Sequence, residues 1–215
     1  ASVMVVSALG LGTVIMAPLS QRMIDSPALG LPGAFKVLGI AFVIIVLTAS
    51  RFIKNPPVGY APKGFQPDSA ANASAEDVAW PVMLRRARFW MLYVLYVTGA
   101  FSGLMLASQA SSIAQEVTRL SAATGSLIVS AFGLANASGR LFWGAVSDRI
   151  GRFQAVGLMF AITAATMLVF VHLAAAPAGL LVAVVLVALC YGGYLGVFPS
   201  ICADAFGSRD LTVNY

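Results

Sequence analysis

The chain has 215 residues, 60% of them hydrophobic and 10% charged, with a formal net charge of +5 and a mean hydropathy of +0.90. Soluble domains carry roughly 25% charged residues, so a deficit spread along the whole chain excludes an ordinary soluble domain and places it among membrane proteins. The basic residues lie between apolar segments rather than in one patch, so loops on the cytoplasmic face, and not nucleic acid, account for the positive balance.

A helix needs about 20 apolar residues to cross the hydrocarbon core. Six segments qualify, which predicts an all-α membrane protein with six transmembrane helices. The first, Ala1–Gln21, begins inside an apolar run with no initiating Met and no basic n-region, so it is not a signal peptide. The second, Ala34–Ile53, follows the Pro- and Gly-marked connector "RMIDSPALGLPG". Next comes "KNPPVGYAPKGFQPDSAANASAEDVAWPVMLRR", rich in Pro, Ala and Ser and basic at both ends. That composition builds no packed core and reads as an extended linker. Four further spans follow: Phe89–Gln115, Thr124–Val146, Phe153–Ala176 and Ala178–Ala203. None shows the period-two alternation of a barrel strand. The chain stops at "DLTVNY" with no closing element, and we expect it to be a piece of a longer protein.

Orientation follows from Lys and Arg on alternating faces. The face after spans two, four and six holds nine: Arg51, Lys54, Lys63, Arg85, Arg86, Arg88, Arg149, Arg152 and Arg209. The other face holds three: Arg22, Lys36 and Arg119. The nine-residue face is therefore cytoplasmic, and the linker with it. Without the linker the count is three to three, so the linker decides the assignment.

Little else carries chemistry. Cys190 and Cys202 read as small buried hydrophobes, and His172 reads as a helix-end residue rather than a proton relay. There is no metal-ligand spacing, catalytic triad, phosphate loop or paired carboxylate, so neither an enzyme nor a cofactor is expected. "GAFSG" (99–103) and "GGYLG" (192–196) place small residues one turn apart, which lets helix backbones approach closely.

The charged exception inside a span is Arg140. It lies about seven residues, near 10 Å, from the end of its helix. An arginine at such depth costs roughly 2.5–3.5 kcal/mol on insertion scales. It can snorkel to the interface on its long stem, tie down its own helix turn, or face a cavity and hold an anion. A planar guanidinium matches a carboxylate in bidentate fashion. Asn136, one turn earlier, shares its face. Tyr191 and Tyr194, three apart, supply aromatic walls and hydroxyls, while Gln109, Tyr96 and Ser102 are polar at membrane depth. For each of these, helix packing is the competing role. Pro199 in "GVFPS" predicts a kink, a plausible hinge.

The connector after Arg140 reads Gly144-Ala-Val-Ser-Asp148-Arg149-Ile-Gly151-Arg152. Its glycines permit a tight reversal, and Asp148 is favoured near a helix N-terminus. The order G-x-x-x-D-R-x-G-R resembles the signature loop of the major facilitator superfamily, found between the second and third helices of each six-helix half. The resemblance implies that Asp148 is a gating latch against the opposite half, supported by Arg149 and Arg152. It also implies that the six spans are helices five to ten of twelve, a partial fold of that superfamily. Residues 1–53 would be the last two helices of the N-terminal bundle, 54–88 the central cytoplasmic linker, and 89–215 the first four helices of the C-terminal bundle.

"KNPPVGYAP", "RRARFWMLYVLYVTGAFSGLM", "ANASGRLFWGAVSDRIGR" and "YGGYLGVFPSICADAFGSRDLTVNY" together resemble the oxalate/formate antiporter family and its monocarboxylate-transporter relatives. That resemblance implies an alternating-access transporter of small carboxylate anions in the plasma (inner) membrane. One arginine in the eighth helix, here Arg140, and one lysine in the eleventh, beyond this chain, would clamp the anion. The missing helices of the same protein would be needed for transport, and the lipid bilayer is its other partner. The alternative is a proton-coupled monocarboxylate symporter, which is expected to use a membrane-embedded carboxylate; the interiors of these six spans contain no Asp or Glu.

Overall fold

The computed structural model describes residues 2–52 and 78–207, with side chains from residue 12 onward. Most of the long linker, the Asn72-Ala-Ser sequon, Lys54, Lys63 and Arg209 lie outside the described residues. Every described element is helical: α1 (Ser2–Asp25), α2 (Gly30–Ser50), α3 (Trp80–Met83), α4 (Ala87–Glu116), α5 (Ala122–Ile150), α6 (Arg152–Leu168), α7 (Phe170–Leu173) and α8 (Pro177–Phe206).

Five of the six long helices match the expected spans to within four residues at each end, while α6 ends eight residues before the expected Ala176. Three of them, α2, α4 and α8, are long and apolar enough to cross a membrane by length and composition. In α5 the hydropathy is diluted by the residues that make it informative: glycines, serines, Asn136 and Arg140.

Helix ends follow local chemistry. Between α1 and α2 the carbonyl of Ser26 accepts from the backbone N–H of Gly30 at 2.9 Å, and Gly30 takes a φ of +56°, which a residue without Cβ adopts at no cost. The Ser121 hydroxyl caps α5 by accepting from the Thr124 N–H at 3.2 Å. Pro177 opens α8 in its first turn, where its missing N–H is not needed. The fifth expected span, Phe153–Ala176, is interrupted: Val169 leaves helical geometry (φ −101°, ψ 5°), and α7 adds a single short turn. No Pro or Gly marks that break, so the sequence carries no signal for it.

In hydrocarbon, lipid tails compete with apolar side chains, so close packing of small residues holds helices together. Helix α8 is the centre of this bundle, buried along its length against α4, α5 and α6. Its most extensive contact is with α5, and α5 in turn packs against α1, where the Ser130 hydroxyl donates to the Val14 carbonyl at 3.2 Å. Helix α2 packs on α1 and buries only Ala34, leaving Phe35, Ile40, Val43 and Leu47 exposed. That face suits a lipid environment.

Candidate functional site

Three glycines bring the backbones of α5 and α8 into contact. A Cβ on Gly139 would collide with the Leu189 carbonyl, and one on Gly192 with the Asn136 carbonyl. A Cβ on Gly196 would come within 3.1 Å of the Arg140 carbonyl oxygen. The small-residue stripe "GGYLG" therefore lies directly on the backbone of the two polar residues of interest.

At that crossing Arg140 is only 5% exposed and Asn136 7%. The Arg140 Nε donates to the Asn136 Oδ1 at 3.3 Å. Helical side chains lean toward their own N-terminus, and this bond holds the guanidinium in that direction. It points back along α5, away from the Asp148 end.

Tyr191 is half-buried beside this pair. Its ring packs against Phe132 at a centroid distance of 6.0 Å and fills the space over Gly103 of α4. Tyr96 and Arg140 are its electrostatic neighbours. Tyr194 is turned elsewhere: fully buried, its ring lies tilted at 42° against Phe160 with centroids 5.0 Å apart, covers Gly99, and pairs its hydroxyl with Thr163 Oγ1 at 3.4 Å. The structure thus brings together Arg140, Asn136 and Tyr191, and places Tyr194 in the core between α4, α6 and α8. Gln109 is exposed on α4, nearly two turns beyond Gly103. Ser102 donates to its own helix at the Gly99 carbonyl, 2.8 Å away.

The G-x-x-x-D-R-x-G-R connector is tighter than its sequence implied. Helix α5 runs to Ile150, so Asp148 and Arg149 are exposed residues of its last turn, and Gly151 alone separates it from α6. The φ of +95° at Gly151 makes glycine necessary there. Gly144 faces open space, so nothing described requires its missing side chain.

Arg152, the first residue of α6, forms an ion pair with Asp204 and donates to the Ser200 carbonyl, both near the end of α8. Each charge sits at the helix end whose dipole opposes it, a cation at an N-terminus and a carboxylate near a C-terminus. Pairing offsets both. Asp204 lies in the stretch "PSICADAFG" that carries the family resemblance, but nothing in that stretch signals its partner on α6.

Along the same stretch of α8, a crevice of about 60 Å³ opens between α4 and α8, lined mainly by aromatic residues including Phe89, Tyr96, Phe198 and Phe206. Tyr96 lies on Phe198 with ring centroids 5.1 Å apart. The chain just before α3 ties into the foot of α8, the Val78 N–H donating to the Phe206 carbonyl at 3.0 Å.

Residues 1–213 match the family described as Major Facilitator Superfamily. The chain is 30% identical to the uncharacterized MFS-type transporter YhjX of Escherichia coli (strain K12) over 216 residues, 98% of this chain and 52% of that protein. It is 29% identical to the oxalate:formate antiporter of Oxalobacter formigenes over 207 residues, 96% of this chain and 47% of that protein. The chain spans about half the length of the curated relatives it matches.

Proposed function

This chain belongs to the major facilitator superfamily, a family of membrane transporters rather than enzymes, and on that premise we propose that the whole protein moves small carboxylate anions of the oxalate and formate kind by alternating access. The observation that carries this reading is the placement of Arg140. A guanidinium buried at a backbone-tight helix crossing, oriented by Asn136 and flanked by Tyr191, is arranged to meet a planar carboxylate. Its direction also weighs against snorkelling, which needs the side chain to reach toward the nearer, Asp148 end of α5. The relative named as an oxalate:formate antiporter supports the same substrate class.

In this reading α1 and α2 close the N-terminal bundle, residues 54–88 form the cytoplasmic linker, and α4 to α8 begin the C-terminal bundle. The contact of α1 with α5 is then a contact between the two halves, across which rigid bodies rock around a site near the midplane. Trp80 and Trp90 are exposed beside Arg85, Arg86 and Arg88, the residue types of a cytoplasmic membrane interface. Asp148, Arg149, Gly151 and Arg152 serve as the gating connector.

The test uses the full-length parent protein in proteoliposomes, with labelled oxalate or formate outside and an unlabelled carboxylate inside or absent. Uptake that depends on the internal carboxylate is the expected result, with loss of uptake in Arg140→Gln at unchanged reconstitution. Normal uptake by Arg140→Gln would overturn the site assignment. Lactate or pyruvate uptake driven by a pH gradient, with none of oxalate or formate, would replace exchange with proton-coupled symport.

A further inference from the structure

We infer that Ser130 and Val14 form the pivot on which the two halves rock, and that the seam beyond Pro18, between the outer ends of α1 and α5, opens and closes about it. This rests on the transport reading above and assigns its moving contact to named residues.

Pro18 has no N–H, so the Val14 carbonyl one turn earlier in α1 loses its normal helical partner. The Ser130 hydroxyl of α5 lies 3.2 Å from that oxygen and 3.1 Å from the carbonyl of Ser126 in its own helix. Ser126 already accepts the backbone N–H of Ser130, as the helix requires, whereas the Val14 carbonyl depends on the hydroxyl. Val14 lies midway along α1, where no water replaces a lost bond. Separation at this point is costly, so the pair stays bonded in both end states of the cycle.

Beyond the pair the two helices part. Val14, Pro18, Gln21 and Asp25 share one face of α1, and Ala123, Ser126 and Ser130 one face of α5, by their spacing of three and four. Between Pro18, Gln21, Arg22 and Asp25 on one side and Ala123 and Ser126 on the other lies a cleft of about 130 Å³. Its polar groups bond within their own helices: Gln21 Nε2 donates to Asp25 Oδ1 at 2.9 Å, and the Ser126 hydroxyl to the Ala123 carbonyl at 2.7 Å. Among the described residues no hydrogen bond or ion pair crosses this cleft, so its walls can move apart without losing a polar partner. A bond that is costly to break, beside a seam that is cheap to open, is what a pivot requires.

Two cross-links in a cysteine-free version of the full-length protein test this in proteoliposomes. Val14→Cys with Ser130→Cys joins the pivot, and Gln21→Cys with Ala123→Cys spans the seam. A short bifunctional maleimide, with linkage confirmed by mass, should leave oxalate exchange by the first pair near its uncross-linked rate and abolish exchange by the second. Loss of exchange with the pivot joined, or exchange that persists with the seam joined, would overturn the inference. No exchange by the unaltered protein would instead overturn the transport reading on which it rests. Thermal melts give a second readout where a cysteine pair does not fold. Ser130→Ala should lower the melting temperature with Pro18 in place and change it little after Pro18→Ala, which returns an N–H to the Val14 carbonyl. Equal losses in both backgrounds would show that the hydroxyl does not serve the freed carbonyl, and the pivot would fall.

Discussion

The carbonyl oxygen of Asn136 occupies the place where a side chain on Gly192 would begin. Helices α5 and α8 therefore touch backbone to backbone at the residue that orients Arg140. Gly192→Val is expected to force them apart and to destabilise the protein by roughly 1–3 kcal/mol, the usual range for overpacking. Gly157→Ala is the control. Its Cβ meets open space in the middle of α6, so it should be neutral or stabilising by up to about 1 kcal/mol through helix propensity. Thermal unfolding in detergent checks both, and equal melting temperatures for the two variants would show that the crossing tolerates separation.

The crossing also shows what the sequence made legible. Six helices could be read from run length, because a membrane span depends on composition more than on partners. The glycine stripe pointed to close packing, yet not to the helix it would meet; only the fold shows that Gly192 and Gly196 lie on Asn136 and Arg140. Arg140 was legible because charge at depth is costly wherever it occurs. Tyr191 and Tyr194 looked equivalent by spacing, and both cover a glycine of α4, but they separate because Tyr191 turns toward Phe132 of α5 and Tyr194 toward Phe160 and Thr163 of α6. The turn at Val169 and the pairing of Arg152 with Asp204 were not legible, the first for want of a breaker residue, the second because the partners lie 52 positions apart.

The clasp at the foot of α8 has two parts of unequal strength. Asp204 is 58% exposed and Arg152 31%, so their attraction is screened and is expected to contribute under about 1 kcal/mol. The bond from Arg152 to the Ser200 carbonyl remains when Asp204 is neutralised. Arg152→Ala should therefore cost more stability than Asp204→Asn. Raising the salt from 0.1 to 1 M, where the screening length falls to about 3 Å, should shrink the Asp204→Asn effect and leave most of the Arg152→Ala effect. A double-mutant cycle at both salt concentrations measures this, and equal costs would assign the clasp to the ion pair alone.

Asp148 sits where its own helix dipole disfavours a carboxylate, in the last turn of α5. A latch role, in which this charge meets the opposite half of the protein, would compensate for that position. Asp148→Asn is then expected to shift the protein toward cytoplasm-open states. Cys202 reports on this, being 8% exposed on the half of α8 nearest that end, whereas Cys190 is fully buried. Maleimide labelling of Cys202 in membrane vesicles should accelerate in the variant. An unchanged rate would remove the latch from the account.

Tyr191 and Tyr194 should separate by function as they do in space. The Tyr194 hydroxyl is buried against Thr163 at 3.4 Å, a long contact, so Tyr194→Phe should cost at most about 1 kcal/mol of stability and leave transport by the full-length protein near normal. Tyr191→Phe removes a hydroxyl from the surroundings of Arg140 and should raise KM for the anion several-fold with little change in melting temperature. Tyr191→Ala should do more, because it also uncovers the cleft over Gly103 and removes the ring packed on Phe132. Uptake kinetics and thermal melts on the same preparations distinguish the two residues. Were Tyr194→Phe to raise KM and Tyr191→Phe to leave it untouched, the anion would sit on the α6 side of α8, away from the guanidinium of Arg140.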